Sequence, residues 1–578
     1  MLRPSQQHDA VEQDTVVAAS KNKLKILFYH AGVHSGWLYP AALQLKTYID
    51  LFYPNAAEHL EWLIPIQQEV TDEELIKHIV DTNADILCTS HYLWNHALLT
   101  RQIAAIKPRL KSTFKIIAGG PSIDVNINQD FFEQYPGIDF AVYGAGEQAF
   151  TDIVDHLVTK KPLIAFNTSN CAWKNTKTGK SIVADYKFVK MIETSPFAHN
   201  VELFELMVSD AKEKNCLVWL PYTLTRGCPY SCTFCDWNSG LGNKVSRRKN
   251  TYQQEIDLFQ RLGVTNIYLS DANVGQYDED VKMIEYFAEK NLQENAGFHI
   301  DGNFSKLKKE NNLKIFHTMA DGKLNKRLNF SIQDTNVQVL KNIDRPDVGW
   351  DVHVSMANEL RERHKDLVFI AQLIYGLPGQ TVASWRQTLQ QVAQENILPF
   401  VFVNEPLPAS PAMLDMEYQR KFQFEYVLSQ RLINGRNYYH SQVPKKSTSF
   451  DQSDLVHMNL HSAFFAALTA INLVCIENVV DPIPISLPVI ENFLHSNNYQ
   501  KLYQNLLDNW TKHNNFFYTT TFDGEFQEIS DNGLFVYFVE SIAFVNHVVE
   551  LLPEQQKKQI AKLALSFKFK DLTTAVKY

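Results

Sequence analysis

From residue 24 onward, short apolar runs alternate with stretches of helical periodicity. Leu24–His30, Leu60–Pro65, Asp85–Ser90, Phe114–Gly120 and Ile138–Gly144 are partly β-branched, and each precedes a turn, as strands do. Between them Pro40–Ile49, Asp72–Asp81, Ala97–Ile106 and Glu147–Val158 read as helices. Such alternation predicts a parallel sheet covered on both faces. Five strands suit a flavodoxin-like doubly wound domain over residues 23–160, with its ligand at the carboxyl ends of the strands.

An Asn-, Thr- and Lys-rich segment at residues 161–215 reads as an irregular connector. A second array follows, with strands predicted at Leu217–Thr225, Asn266–Asp271, Phe298–Asn303, Leu328–Gln333, Leu367–Gly376 and Phe400–Glu405. Helical stretches lie between several of them; Ile256, Phe259 and Leu262 share one side of such a stretch. Six βα steps predict a partial barrel over residues 216–410, with its chemistry at the strand C-termini. Polar and glycine residues gather there: Asp271, Asn273 and Gly275, then Asp301 and Asn303, Gln333 and Asp334, Tyr375 to Gly379, and Asn404 with Glu405. Loops are polar in any protein, which accounts for part of this. Residues 411–578 read as a mostly helical third domain, with patterns at Ser462–Ile476 and Gln555–Phe567.

Composition narrows the class. A chain of 578 residues, 45% hydrophobic and 21% charged, has room for two to four globular domains. The formal charge of −9, with no block of like charge, speaks against a nucleic-acid surface. Residues 1–22 are polar and lack the apolar core of a secretion signal, so a disordered tail is expected. The longest apolar run, Ala463 to Cys475, is too short and interrupted for a bilayer span. Of seven cysteines, Cys88, Cys171, Cys216 and Cys475 are scattered, which is cytoplasmic usage rather than a disulfide framework.

The other three cysteines, Cys228, Cys232 and Cys235, sit directly after the first barrel strand with Cys-x3-Cys-x2-Cys spacing. Thiolates are the usual ligands of iron–sulfur clusters, and three of them leave one iron open to a small molecule. Structural zinc is the alternative. It needs a fourth ligand, but the loop has no histidine, and Cys216 begins the preceding strand.

With Phe234 before the last cysteine, the spacing resembles the signature of the radical S-adenosylmethionine (SAM) superfamily. The resemblance implies a [4Fe-4S] cluster whose open iron binds SAM, and a 5′-deoxyadenosyl radical that abstracts hydrogen from substrate. It also implies a partial (βα)6 barrel. Asp271 and Asn273 resemble the second-strand motif that binds the SAM amino group or shapes its pocket, and Asn303, Ser331 and Gln333 lie where relatives contact ribose and carboxylate. Tyr375 and Gly376 resemble the fifth-strand motif near the adenine, and Arg345 matches a frequent position without an assigned role.

A flavodoxin-like domain before such a barrel resembles a cobalamin-binding domain. Gly119, Gly120 and Pro121, then Gly144, Gly146 and Glu147, follow the fourth and fifth strands; Tyr92, Trp94 and Asn95 resemble the loop beneath the corrin. The motif Asp-x-His-x-x-Gly is absent. His30 and His34 therefore read as surface or capping residues, no histidine ligand to cobalt is expected, and Trp94 or Tyr92 takes the lower face.

Together the resemblances imply a C-methyltransferase that moves methyl from methylcobalamin to a carbon radical. Asp236-Trp237 after the third cysteine resembles enzymes that tailor peptide natural products, which points to a peptide or amino-acid-derived substrate. A one-electron reductant of flavodoxin or ferredoxin type is implied, and neither nucleic acid nor membrane. A cyclase, rearrangement or ring-contraction enzyme with the same cofactors stays open. So do a scaffold with an inert cluster and a cobalamin-free radical enzyme with a degenerate first domain.

Overall fold

The computed structural model describes residues 23–32, 36–124, 127–160, 168–175, 177–214, 217–237, 243–249, 251–433 and 436–462, with 465, 495, 500, 503–504 and 507–508. The expected tail at 1–22, His34, Cys216 and the helical pattern at 555–567 lie outside the described residues; so does 462–476 except for Ser462 and Phe465. No helix among the described residues is long and apolar enough to cross a membrane.

Five strands, β1 (Leu24–Tyr29), β2 (Leu60–Trp62), β3 (Ile86–Ser90), β4 (Lys115–Gly119) and β5 (Phe140–Val142), pair in parallel in the order β2-β1-β3-β4-β5. This is the flavodoxin-like order, with its switch point between β1 and β3. Because successive side chains point to opposite faces, the apolar runs feed two cores. Leu27, Leu87 and Ile116 pack with Leu99 and Ile103 of the helix His96–Ile106. On the other face Ile26, Ile86 and Ile117 pack with Ile49 of Ala41–Phe52 and Ile153 of Glu147–Thr159. The helix Asp72–Thr82 starts at a capping box of Thr71 and Glu74 and stops at Asn83, whose φ of 51° is left-handed.

The segment 161–215 departs from the expected irregular connector. Strands β6 (Cys171–Lys174), antiparallel to β5, and β7 (Ser181–Val183), antiparallel to β6, extend the sheet. The helix Val201–Glu213 then buries Phe204, Met207 and Val208 in the barrel core. Cys171, Ala172 and Trp173 are buried at the strand, but a run that short between polar stretches carries no readable period.

The chain next forms β8 (Trp219–Tyr222), a two-residue antiparallel pair β9 (Thr225–Arg226) and β10 (Ser246–Arg247), and then β11 (Asn266–Val274), β12 (His299–Phe304), β13 (Arg327–Gln333), β14 (Val368–Tyr375) and β15 (Leu398–Val403). Strands β8, β11 and β12 form one parallel sheet; β13, β14 and β15 form another. The two meet where Asn325 Nδ2 donates to Ile300 O at 2.9 Å and Ile300 N to Leu324 O at 3.0 Å. Leu220, Ile267, Ile300, Leu328, Ala371 and Tyr375 pack outward against the helices. By alternation Tyr268, Asp301, Asn303, Asn329, Ser331 and Gln372 face the barrel interior.

The first domain closes the open edge of this barrel. Trp37 forms a parallel bridge with Trp219; Trp219 N donates to Gly36 O at 2.9 Å and Leu38 N to Trp219 O at 2.8 Å. An unpaired edge is thereby covered by the chain that leaves β1. Beyond β15 a long antiparallel hairpin, β16 (Glu425–Ile433) and β17 (Arg436–Lys446), interrupts the helical segment. Residues 452–462 then form a helix over the turn that follows β14.

Candidate functional site

The three-cysteine loop leaves β9 through Gly227, whose φ of 87° turns the chain. Cys228 and Cys232 are buried and Cys235 is half-buried. The loop is pinned by the segments that follow β13 and β15: Thr233 N donates to Ile343 O at 2.9 Å, and Ala412 N to Thr233 O at 2.7 Å. Phe234, expected at a cofactor, instead packs against Val339, Leu340, Ile343 and Leu377 and seats the loop. Asn273 Nδ2 donates to Cys228 Sγ at 3.2 Å, and Arg345 Nη1 stands 4.0 Å from Cys232 Sγ. Burial pushes the Cys235 thiol up to about 12, so a thiolate there requires a bound cation at neutral pH. Among the described residues no three His, Cys, Asp or Glu side chains converge on a point that holds a single metal ion.

Around this loop the carboxyl rim of the barrel carries polar atoms with no partner. Asn273 Oδ1, Gln333 Oε1, Arg345 Nε and Asn404 Oδ1 are all buried without a hydrogen bond. Such groups cost free energy unless a ligand or water satisfies them. Gln333 also holds a φ of 68°, a strained position for a side chain and a frequent mark of a functional site. Inside the barrel Asn303 Nδ2 donates to Tyr268 Oη at 3.3 Å, Ser331 Oγ to Gln372 Oε1 at 2.7 Å, and Asn329 Nδ2 to Asp301 Oδ1 at 2.9 Å.

Three rim residues named from the sequence are engaged by the chain itself. Asp271 Oδ1 accepts Leu224 N at 2.8 Å and Thr225 N at 3.0 Å, so this carboxylate holds the chain at the end of β8. Burial raises it to about 6, although its backbone hydrogen bonds oppose the shift. Tyr375 lies on the helix side of β14, where Tyr375 Oη donates to Asn459 Oδ1 at 3.0 Å and its ring packs on Trp385. Strand parity directs it away from the interior where an adenine contact was expected. A Cβ on Gly376 would meet Leu455 Cδ1 at 3.1 Å, so that turn is covered by the helix at 452–462.

In the first domain the loops after β1 and β3 meet. Tyr92 and Trp94 stack at 4.6 Å, and His30 stacks on Tyr39 at 3.2 Å and meets Tyr92 edge-on at 5.5 Å. His30 is buried, not a surface or capping residue, and neither ring nitrogen has a partner. Burial alone lowers it to about 3. Asn95 is a brace: it accepts from Tyr92 N at 2.8 Å and donates to Ala31 O at 3.2 Å and Ser90 O at 3.0 Å.

The glycines serve neighbours within the chain. Gly120 has a φ of +103°, and a Cβ there would lie 2.5 Å from His91 O, while Gly119 has ordinary clearance and Pro121 opens a short helix. A Cβ on Gly144 would meet the Tyr186 ring at 2.6 Å; Gly146 caps the helix Glu147–Thr159. Glu147, expected at the cofactor, is buried and pairs with Arg226 of β9.

Two family models match the chain. The B12 binding domain covers residues 57–154, and the radical SAM superfamily covers residues 222–392. The chain carries a B12-binding domain followed by a radical SAM domain. That is the architecture of cobalamin-dependent radical SAM proteins, whose cofactors are cobalamin, a [4Fe-4S] cluster and SAM. The chain is 27% identical over 348 residues to the cobalamin-dependent radical SAM methyltransferase TokK of Streptomyces tokunonensis, covering 59% of this chain and 49% of that protein. It is 26% identical over 376 residues to the 2-(S-pantetheinyl)-carbapenam-3-carboxylate methyltransferase of Streptantibioticus cattleyicolor, covering 63% and 54%. The chain thus spans about half the length of the curated relatives it matches. The solved cobalamin-dependent SAM radical enzyme OxsB, with aqua-cobalamin bound, shares the fold across 96% of this chain and 83% of that one, at a TM-score of 0.60 and 14% identity.

The residues fit the groups this architecture holds. In the radical SAM domain, three cysteines in one pinned loop suit three irons of a cluster, and the unpartnered rim atoms suit a polar cosubstrate. In the B12-binding domain the aromatic loop and the unpartnered His30 lie at the carboxyl end of the sheet, where that fold takes its ligand. Arg226, Asn329 and Gln372 were not singled out from sequence, and Asp301 was named only among the polar residues at the strand ends. An arginine two residues before the first cysteine is the one local signal for the first of them; strand parity marks the other three.

Proposed function

We propose that the chain is a cobalamin-dependent radical SAM C-methyltransferase acting on a peptide or amino-acid-derived natural-product precursor. The observation that carries this reading is the set of four buried, unpartnered polar atoms around a three-cysteine loop at the barrel's carboxyl rim. Cys228, Cys232 and Cys235 are the proposed cluster ligands; Asn273, Gln333, Arg345 and Asn404 are the proposed SAM contacts. Tyr92 and Trp94 are the proposed walls of the cobalamin site. When bound, the cluster supplies the electron that cleaves SAM, and cobalamin supplies the methyl group. Arg345 and Asn273 place positive charge and an N–H against the sulfurs. The interior groups Asp301, Asn329 and Gln372 orient the substrate and keep the reacting carbon out of water. Likeness to two proteins named as methyltransferases supports methyl transfer over rearrangement, and one of them is named for a carbapenam-3-carboxylate substrate.

The test is anaerobic reconstitution with cobalamin, a one-electron reductant of flavodoxin or ferredoxin type, and SAM carrying a deuterated methyl group. Candidate substrates are read by mass spectrometry. Labelled methyl in the product is expected. An isomeric product without label turns the reading to radical rearrangement. No 5′-deoxyadenosine, with a cluster signal unmoved by SAM, overturns it.

A further inference from the structure

One contact between the two domains runs through charged groups at the root of the cluster loop and at the turn after β5, on the carboxyl edge of the B12-binding sheet. Arg226 stands two residues before Cys228. Its Nη2 donates to Glu147 Oε1, and its Nη1 to Val189 O at 3.0 Å. Glu147 is the first residue of the helix after the Gly144–Gly146 turn of the B12-binding domain. Its side chain is 7% exposed against 20% for Arg226, and Glu147 Oε2 is buried without a hydrogen bond.

A strap of chain makes the same connection. Asn170 Nδ2 donates to Ala145 O at 3.2 Å and to Lys187 O at 2.9 Å, and Asn170 Oδ1 accepts Lys187 N at 2.6 Å. Tyr186 lies over Gly144. Farther on, Val189 meets Arg226, and Met191 N donates to Ser246 Oγ of β10 at 2.9 Å. The strap is therefore fastened to the glycine turn at one end and to the base of the cluster loop at the other.

A buried ion pair is a poor source of stability, because desolvation offsets most of the attraction. Glu147 also sits at a helix N-terminus, where the helix dipole already favours a carboxylate. What the pair supplies is direction, since a guanidinium with two fixed acceptors admits one orientation. We propose that Glu147 and Arg226 are positioning residues that lock the glycine turn to the first cluster cysteine, so that filling the cobalamin site tightens SAM binding at the cluster. By reciprocity SAM then tightens cobalamin by the same factor. The inference rests on the two-cofactor reading above.

The experiment measures SAM affinity from the shift of the reduced-cluster signal, in full-length reconstituted protein with and without cobalamin. The wild type is expected to show at least about a 5-fold gain with cobalamin, the low end of ordinary coupling. In Glu147→Gln, which keeps the shape and loses the charge, the gain falls to about 1-fold while each cofactor alone still binds. Arg226→Lys keeps the charge without the two-pronged bond and gives an intermediate gain. A gain that is the same in all three proteins, or absent from the wild type when both cofactors bind, overturns the inference and leaves the two-cofactor reading standing. Loss of either cofactor from both variants assigns the pair to folding, which also overturns it. A wild type that takes up no cobalamin, or whose cluster signal ignores SAM, refutes the underlying reading and the inference with it.

Discussion

Gly120→Ala is the sharpest probe of how the B12-binding domain is built. The added Cβ would lie 2.5 Å from His91 O, 2.9 Å from His91 N and 3.1 Å from His91 C, all backbone atoms with no rotamer by which to retreat. His91 is itself held: His91 N donates to Gly119 O at 2.7 Å, and His91 O accepts Ser122 N at 3.1 Å. Two costs add. A side chain at a φ of +103° is strained, by about 1–3 kcal/mol. Forcing carbon against fixed backbone costs about 1–3 kcal/mol more. The sum is about 2–6 kcal/mol. Gly179→Ala isolates the first cost, because Gly179 has a φ of +74° with nothing within 4 Å of its would-be Cβ. Both variants are compared with wild type by urea unfolding, following the first transition because the chain has several domains. Gly120→Ala is expected to lose at least about 1 kcal/mol more than Gly179→Ala, the smallest overlap cost. It should also lose cobalamin, since Tyr92 and Trp94 move with His91. Equal losses in the two variants refute the close approach.

Other outcomes follow from the same contacts. Cys232→Ala should abolish cluster absorbance and all SAM cleavage, while the far-ultraviolet circular dichroism stays that of a folded chain. Tyr375→Phe leaves Asn459 Oδ1 without its donor and should cost about 1–3 kcal/mol, with SAM affinity unchanged; weakened SAM binding would return this tyrosine to the cosubstrate site. Asp271 has a folded-state value near 6, above that of an unfolded carboxylate. Its contribution is therefore fully present below about pH 4 and is lost as pH rises through 6. Asp271→Asn should flatten stability across that window in a denaturation series. Arg248 and Glu255, paired at 2.9 Å with 1% and 0% exposure, make Arg248→Met destabilising by about 3–5 kcal/mol, read as a shift in the unfolding midpoint.

Most of the layered fold was legible along the chain. Helix and strand periods are properties of the local backbone, so burial of one face leaves its mark residue by residue. The expected strands at Leu24–His30 and Leu328–Gln333 match β1 and β13 within a residue at each end. The cysteine triplet was equally plain, because one loop carries all three sulfurs. Shorter elements escaped: β6 and β7 span four and three residues and take their stability from pairing, β6 with β5 and β7 with β6, not from a pattern of their own.

The partners of polar side chains were beyond reach of the sequence. Asn273 meets Cys228 across 45 positions and Arg226 meets Glu147 across 79, and no local period records which distant groups packing will bring together. Glu147 and Tyr375 read as cofactor residues through the motifs they resemble. Domain docking gave the first to an arginine, and strand parity turned the second toward the helices. The sequence alone thus settled the periodic elements of the two arrays and where the thiols lie. Only the folded chain settled which buried charges and amides answer one another, because a hydrogen bond is satisfied by proximity in space and not by order along the backbone.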